Sequence, residues 1–235
     1  MESVLAVPRL ETRKPLREEV YQVLRKAIIE GKLRGGARLV ETEIAQQLGI
    51  SRTPVREAIH MLESEGMVSS IPRKGYVVAD FSAQEVEEIF GVRQVLEGYA
   101  GRLATSRISV TQLDELKVIY ARSLKCVDEQ DSASQLFQLN TEFHDLLISC
   151  SQNRRLRELI DTVRSSLLSY RLATLTDPAE RRHSVEGHKL ILAALERRDA
   201  DAVEDLIKRH VAHSMNVVLQ KEFQKELEHK KRRVV

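Results

Sequence analysis

Two sets of residues in this chain have types and spacings that could do chemistry. The first is basic and lies in Ser51-Arg52-Thr53-Pro54-Val55-Arg56-Glu57-Ala58-Ile59-His60-Met61-Leu62. Val55, Ala58, Ile59 and Leu62 recur at helical spacing, so Arg52 and Arg56, four apart, share the opposite face with His60. Ser51 or Thr53 can cap the free N–H groups, and Pro54 fits the first turn. Paired arginines at the start of a helix suit base edges and phosphates in a DNA major groove, although two arginines alone equally describe a solvated basic face. The second set interrupts apolar stripes. Arg93 falls three after Phe90 and three before Leu96, where an unpaired charge would be costly. Glu97 is its internal partner and a bound carboxylate the external one. Asn140 and His144, at i, i+4, flank Leu136, Leu139, Phe143 and Leu147. His188 shares a face with Val185, Ile191, Leu192 and Leu195, and His210 lies among Val203, Leu206, Ile207 and Val211. One such histidine is ordinarily a satisfied core residue. Three on three helices, with an amide one turn from the first, are how helical bundles build metal sites. His213 is a fallback for His210, while His183 and His188, five apart, do not make a zincin motif.

The elements that must position these residues are mostly helical. The 235 residues include 31% charged and 4% aromatic residues, 10 Gly, 5 Pro and no Trp, which favours helices over many short strands. Net charge is only +2, so affinity for nucleic acid must come from a local patch. Two cysteines, Cys126 and Cys150, make no disulfide framework and read as reduced, buried thiols. No apolar run reaches membrane-spanning length, and the expected location is the cytoplasm.

Residues 1–14 read as a flexible arm. A helix from Pro15 carries Leu16, Val20, Val23, Leu24, Ala27 and Ile28 on one face, and Gly31, Gly35 and Gly36 close it. Leu39, Ile44, Ala45 and Leu48 suggest a second helix from about Glu41, ended by Gly49. The arginine-bearing helix follows directly, which is a helix-turn-helix pattern. Met67–Ile71 and Gly75–Ala79 flank Pro72-Arg73-Lys74 as a hairpin, with Arg73 and Lys74 at the tip of a basic wing. Asp80–Ala83 is a linker with Ser82 as a cap. The remainder predicts six helices, at Ala83–Ser106, Thr111–Glu129, Ser132–Cys150, Arg154–Leu175, Pro178–Arg197 and Asp199–Glu228, joined shortly enough for an antiparallel bundle. A basic, disordered tail over 223–235 ends the chain.

Residues from about Leu16 to Ala79 resemble the winged helix-turn-helix domain of the GntR family of bacterial transcription regulators. The signature is Ser51 to Ala58 followed by Leu62, Glu65 and Gly66. The resemblance implies a DNA-facing set of Thr42, Ser51, Arg52, Thr53, Arg56, Arg73, Lys74 and Gly75, with Gly75 letting the wing approach the minor groove. Val40-Glu41-Thr42 stands where the fatty-acid-responsive members carry an arginine on the second helix. Residues from about 84 to 220 resemble the all-helical FCD effector domain of the FadR-type branch, and six helices place them nearer its vanillate-regulator-like members. That likeness implies a divalent metal held by Asn140, His144, His188 and His210, with a small carboxylate between it and Arg93 and Glu97. Zinc is the expected metal, with nickel, manganese or iron as alternatives. Asn140 departs from the family's aspartate, leaving three neutral imidazoles and an amide.

The expected fold is mainly α: a winged helix-turn-helix over 15–79, a linker at 80–83, and a helical effector-binding and dimerisation domain over 84–222. The expected function is a homodimeric DNA-binding regulator, read as a repressor of an inverted-repeat operator, whose signal is a small organic acid. A direct metal sensor is the alternative. A metal-dependent enzyme is disfavoured because no general base stands beside the histidines, so no catalytic residue is assigned and no membrane partner is expected.

Overall fold

The computed structural model describes residues 15–29, 31–71, 75–129, 133–167, 170, 174–175 and 177–233, with Ser166 and residues 222–233 described by backbone alone. The arm over 1–14 and the wing-tip residues Arg73 and Lys74 therefore lie outside the described residues. The first unit contains α1 (Leu16–Ile29), β1 (Arg38–Leu39), α2 (Glu41–Leu48), α3 (Arg52–Ser64), β2 (Val68–Ile71) and β3 (Gly75–Val78). Val20, Leu24 and Ile28 of α1 meet Val55, Ile59 and Leu62 of α3 in one buried cluster. This burial of amphipathic stripes, more than helix propensity, holds such short helices.

Gly49 closes α2 at φ 66°, a left-handed conformation that glycine adopts without a Cβ penalty. The chain then turns into α3. Ser51 occupies its N-cap position with extended backbone, but its side chain makes no capping hydrogen bond, and Thr53 lies inside the first turn. The expected cap is therefore positional only.

The wing is three-stranded, not the two-stranded hairpin expected. Its order is β1-β3-β2, antiparallel throughout, with Tyr76 of β3 opposite both Leu39 and Ser70. Leu39, read from sequence into the stripe of the second helix, is buried in β1 instead. A two-residue strand is too short to show a period, and only its pairing with β3 creates it.

Among the described residues the second unit has six helices: α4 (Ala83–Arg107), α5 (Val110–Asp128), α6 (Ala133–Cys150), α7 (Arg154–Ser166), α8 (Pro178–Glu196) and α9 (Ala200–Arg233). Ser82 with Glu85 and Ser109 with Gln112 form reciprocal capping boxes at the starts of α4 and α5. Phe90, Leu116, Phe143, Leu147, Ile191 and Ile207 are among the buried residues of the main core. Two boundaries differ from expectation. α7 stops at Ser166 instead of Leu175, and Leu167 and Tyr170 after it are buried in the main core. α9 continues to Arg233 through the segment expected to be a disordered tail.

The two units touch through the linker and through α6. The Phe81 N–H donates to the Tyr170 hydroxyl at 3.0 Å, and that hydroxyl donates to Asp80 at 3.2 Å. Phe137 of α6 packs against the buried cluster of the first unit. Cys126 and Cys150 are both buried and are not joined in a disulfide.

Candidate functional site

On the first unit, Thr42, Arg52, Thr53, Arg56 and His60 are all exposed. Arg56 is not loose. Its Nε and Nη2 donate to both oxygens of Glu41 on α2, at 2.9–3.1 Å. This hydrogen bonding pulls the Glu41 pKa below the ordinary carboxylate value. His60 lies edge-on to Tyr76 of the wing, with ring centroids 5.7 Å apart. The structure thus brings α2, the arginine-bearing face of α3 and the wing strand together. Glu41 and Tyr76 were missed in the sequence because their roles depend on contacts between elements. Gly75 begins β3 at φ 84°, and Ser51 is exposed at the start of α3.

In the bundle, His144 on α6, His188 on α8 and His210 on α9 converge. His144 Nε2 lies 3.3 Å from His188 Nε2 and 3.4 Å from His210 Nε2. One ligand nitrogen from each lies within 4.8 Å of the others. Ligands at about 2.0–2.1 Å in a tetrahedral shell are separated by about 3.3–3.4 Å, so the donor set fits a divalent ion such as Zn²⁺.

Each ring is held from behind. Phe143 stacks on His188 with centroids 4.0 Å apart and planes 10° from parallel. Glu97 Oε2 lies 3.6 Å from His144 Nδ1, which favours the proton on Nδ1 and leaves the Nε2 lone pair for a cation. His210 fits only because residue 187 is glycine: a Cβ there would stand 2.6 Å from His210 Nδ1. Burial pushes the His210 pKa down to about 4 against the pull of Glu97. Burial first, then the neighbouring His210, push His188 well below its usual value. His188 and His210 are therefore neutral donors at neutral pH.

Arg93 Nε donates to Glu97 Oε1 at 2.9 Å, the internal partner expected from the interrupted stripe. Its Nη1 is buried with no hydrogen-bond partner among the described residues. Arg93, Asn140, His144 and His210 line one cavity with a free volume of about 30 Å³, room for one or two waters. Asn140 donates its amide to Ser184 at 3.2 Å. His213 is not in the triad. It pairs with Glu180 at 2.6 Å, and its ring stacks on His183, with both histidines along the same cavity wall. A residue missed altogether is Arg164, buried behind Glu97.

Comparison with known proteins now decides the family. The profile of bacterial regulatory proteins of the gntR family matches residues 16–78, and the FCD domain matches residues 88–213. The chain belongs to the GntR family and carries an FCD domain. It resembles the uncharacterized HTH-type regulator YdhC of Bacillus subtilis, 27% identical over 87% of this chain and 92% of that protein. It also resembles the Nta operon transcriptional regulator of Aminobacter aminovorans, 33% identical over 80% of this chain and 87% of that protein. The solved structure of Escherichia coli McbR/YncC superposes with a TM-score of 0.74 at 26% identity, covering 89% of this chain and all of that one. This GntR-family chain is therefore a DNA-binding transcriptional regulator, as its relatives are, and not an enzyme. Among the described residues no helix is long and apolar enough to cross a membrane.

Proposed function

We propose that the protein is a homodimeric repressor whose hold on an inverted-repeat operator is set by a small organic acid bound at a metal site in the FCD domain. The convergence of the His144, His188 and His210 Nε2 atoms beside Arg93 carries this reading. In it, α3 enters the major groove of one half-site and presents Arg52, Thr53 and Arg56, with Thr42 and Ser51 at its edge. The wing, from Gly75 back through Lys74 and Arg73, reaches toward the minor groove. The three imidazoles would hold a divalent ion, with zinc favoured over nickel, manganese or iron, and Asn140 completes the set with a neutral amide. The ion would supply a Lewis-acid position for a carboxylate oxygen, while Arg93, oriented by Glu97, holds the acid's second oxygen.

Dimer formation is supported by Val92, Val95 and Tyr99, an apolar stripe along α4 that is 46–62% exposed. Coupling to DNA is supported by Phe137, which lines the cavity and also packs against the core of the reading head. An acid that binds the two placements of the head unequally would bias them.

The triad by itself, three imidazole nitrogens within 4.8 Å, favours a second reading in which the ion alone is the signal. One titration separates the two readings. Metal-free and metal-loaded protein are offered organic acids while binding to the promoter DNA of the gene itself is followed by fluorescence anisotropy. A response that needs both metal and acid supports the proposal; a response to metal alone establishes the sensor. Elemental analysis of the purified protein that finds no metal would remove both.

A further inference from the structure

The run Lys230-Lys231-Arg232-Arg233 is the longest uninterrupted series of cations in the chain, and no acidic residue follows Glu228. It closes α9, which continues as helix to Arg233. The register of α9 against α4 fixes the end of the bundle by which it leaves. Gly98 of α4 faces Lys208, Gly101 faces Ile207 and Val203, and Arg102 pairs with Glu204 and Asp201. The two helices are therefore antiparallel. Counting back from Gly98 to the start of α4 at Ala83, in step with Lys208, brings α9 level with position 223. Positions 224–233 overhang α4, which at 1.5 Å per residue is about 15 Å of helix. That end of the bundle carries the reading head. The linker enters α4 there, and Phe81 packs against the core cluster that holds Val218. Val217 lines the cavity together with Phe137, which also packs against the buried cluster of the first unit. The overhang thus leaves the bundle on the side of the DNA-binding unit. The opposite pole is the one where Arg198 donates to the carbonyls of Thr105 and Ile108.

The reading head itself is poor in free positive charge. Residues 15–79 hold ten Lys or Arg against eight Glu, and Arg17, Arg25 and Arg56 are paired with Glu57, Glu65 and Glu41. Affinity for duplex DNA grows with the number of phosphates that cations neutralise. A helix C-terminus favours a cation or two through its dipole, but four in succession repel one another, and at about 100° a step they occupy most of the helix circumference. Such an end presents positive charge to a polyanion whatever the rotation of the helix. We infer that Lys230–Arg233 is a further DNA-contact element, which holds backbone phosphates of the same duplex that α3 reads. The ligand is the sugar-phosphate backbone, without regard to sequence. This rests on DNA binding by the winged helix-turn-helix and is independent of the acid and metal readings.

Anisotropy titrations of the full chain against a duplex of the gene's own promoter and a random duplex of equal length test this. The fourfold variant Lys230→Gln, Lys231→Gln, Arg232→Gln, Arg233→Gln is expected to weaken both duplexes by the same factor. The deficit should be roughly tenfold or more at about 50 mM salt and close toward about 200 mM, with a salt slope shallower by about two for each bound chain. Lys230→Arg with Lys231→Arg is expected to bind as wild type does. An unchanged salt slope would overturn the inference and leave the run a solvated end or the mate of some other acidic partner. Loss on the promoter duplex alone would overturn it too, since a phosphate contact has no sequence preference. Should the neutral variant melt below wild type, Arg233→Cys carrying a tethered iron chelate tests placement with one charge removed. Cys126 and Cys150 are buried, so the new thiol is the accessible one. Cutting of the promoter duplex at or beside the stretch that the protein covers supports the inference, and no cutting overturns it.

Discussion

Glu97 faces two ways: one oxygen holds Arg93 at 2.9 Å, and the other lies 3.6 Å from Nδ1 of His144. One buried carboxylate therefore orients both the candidate anion-binding group and a candidate metal ligand. Glu97→Gln would leave the buried Arg93 guanidinium without its counter-charge, while Arg164 keeps Asp145. The expected loss is about 3–5 kcal/mol of unfolding free energy in urea. A loss below about 1 kcal/mol would show that Arg93 finds another anion.

Gly187 separates stability from metal binding. Alanine is the better helix former by up to about 1 kcal/mol, yet its Cβ would press on the His210 ring. Gly187→Ala should therefore keep helix content and melting temperature near wild type while lowering bound metal at least severalfold. Equal metal-to-protein ratios in the two proteins would remove His210 from the ligand set.

The buried imidazoles give the metal-free fold a defined acid sensitivity. His188 and His210 have folded-state pKa values depressed from the usual 6.5, His210 to about 4. The unfolded chain therefore binds more protons over that range, and the stability these groups contribute is full above pH 6.5 and lost as pH falls toward 4. The urea midpoint should decline across this window, ahead of most carboxylate titration. Replacing both histidines by glutamine should flatten the decline; an unaltered slope would place the effect elsewhere.

Much of this was legible because charge in the middle of an apolar stripe is hard to overlook. Arg93 and Glu97 were paired from spacing alone, and His144, His188 and His210 from their positions on three separate stripes. The same signal existed for Arg164, which continues Leu156 and Ile160, but α7 is so polar that its stripe is narrow. Other features lie between elements and left no local mark. The grip of Glu41 on Arg56 joins two helices, and Leu39 is a strand residue only through Tyr76. The end of α7 at Ser166 has no Gly or Pro to announce it.

Glu41 offers a test of the reading head. In the free protein it neutralises Arg56 and fixes its direction. Arg56→Ala should cost roughly 1–3 kcal/mol on the operator and less on random DNA, if the side chain reads bases. Glu41→Gln should do the reverse: binding to random DNA tightens, and its salt dependence steepens by about one phosphate's worth. Both follow from anisotropy titrations at several salt concentrations. Equal losses on all sequences for Arg56→Ala would make it a phosphate contact.

The wall of the cavity beside Arg93 reaches the surface: it includes His183, which is exposed, and His213, whose ring stacks on it. In the proposed reading this stacked pair is the rim that an acid passes, with Glu180 holding His213 in place. The spacing of two rings outside the ligand set would then decide what size of molecule reaches the three histidines.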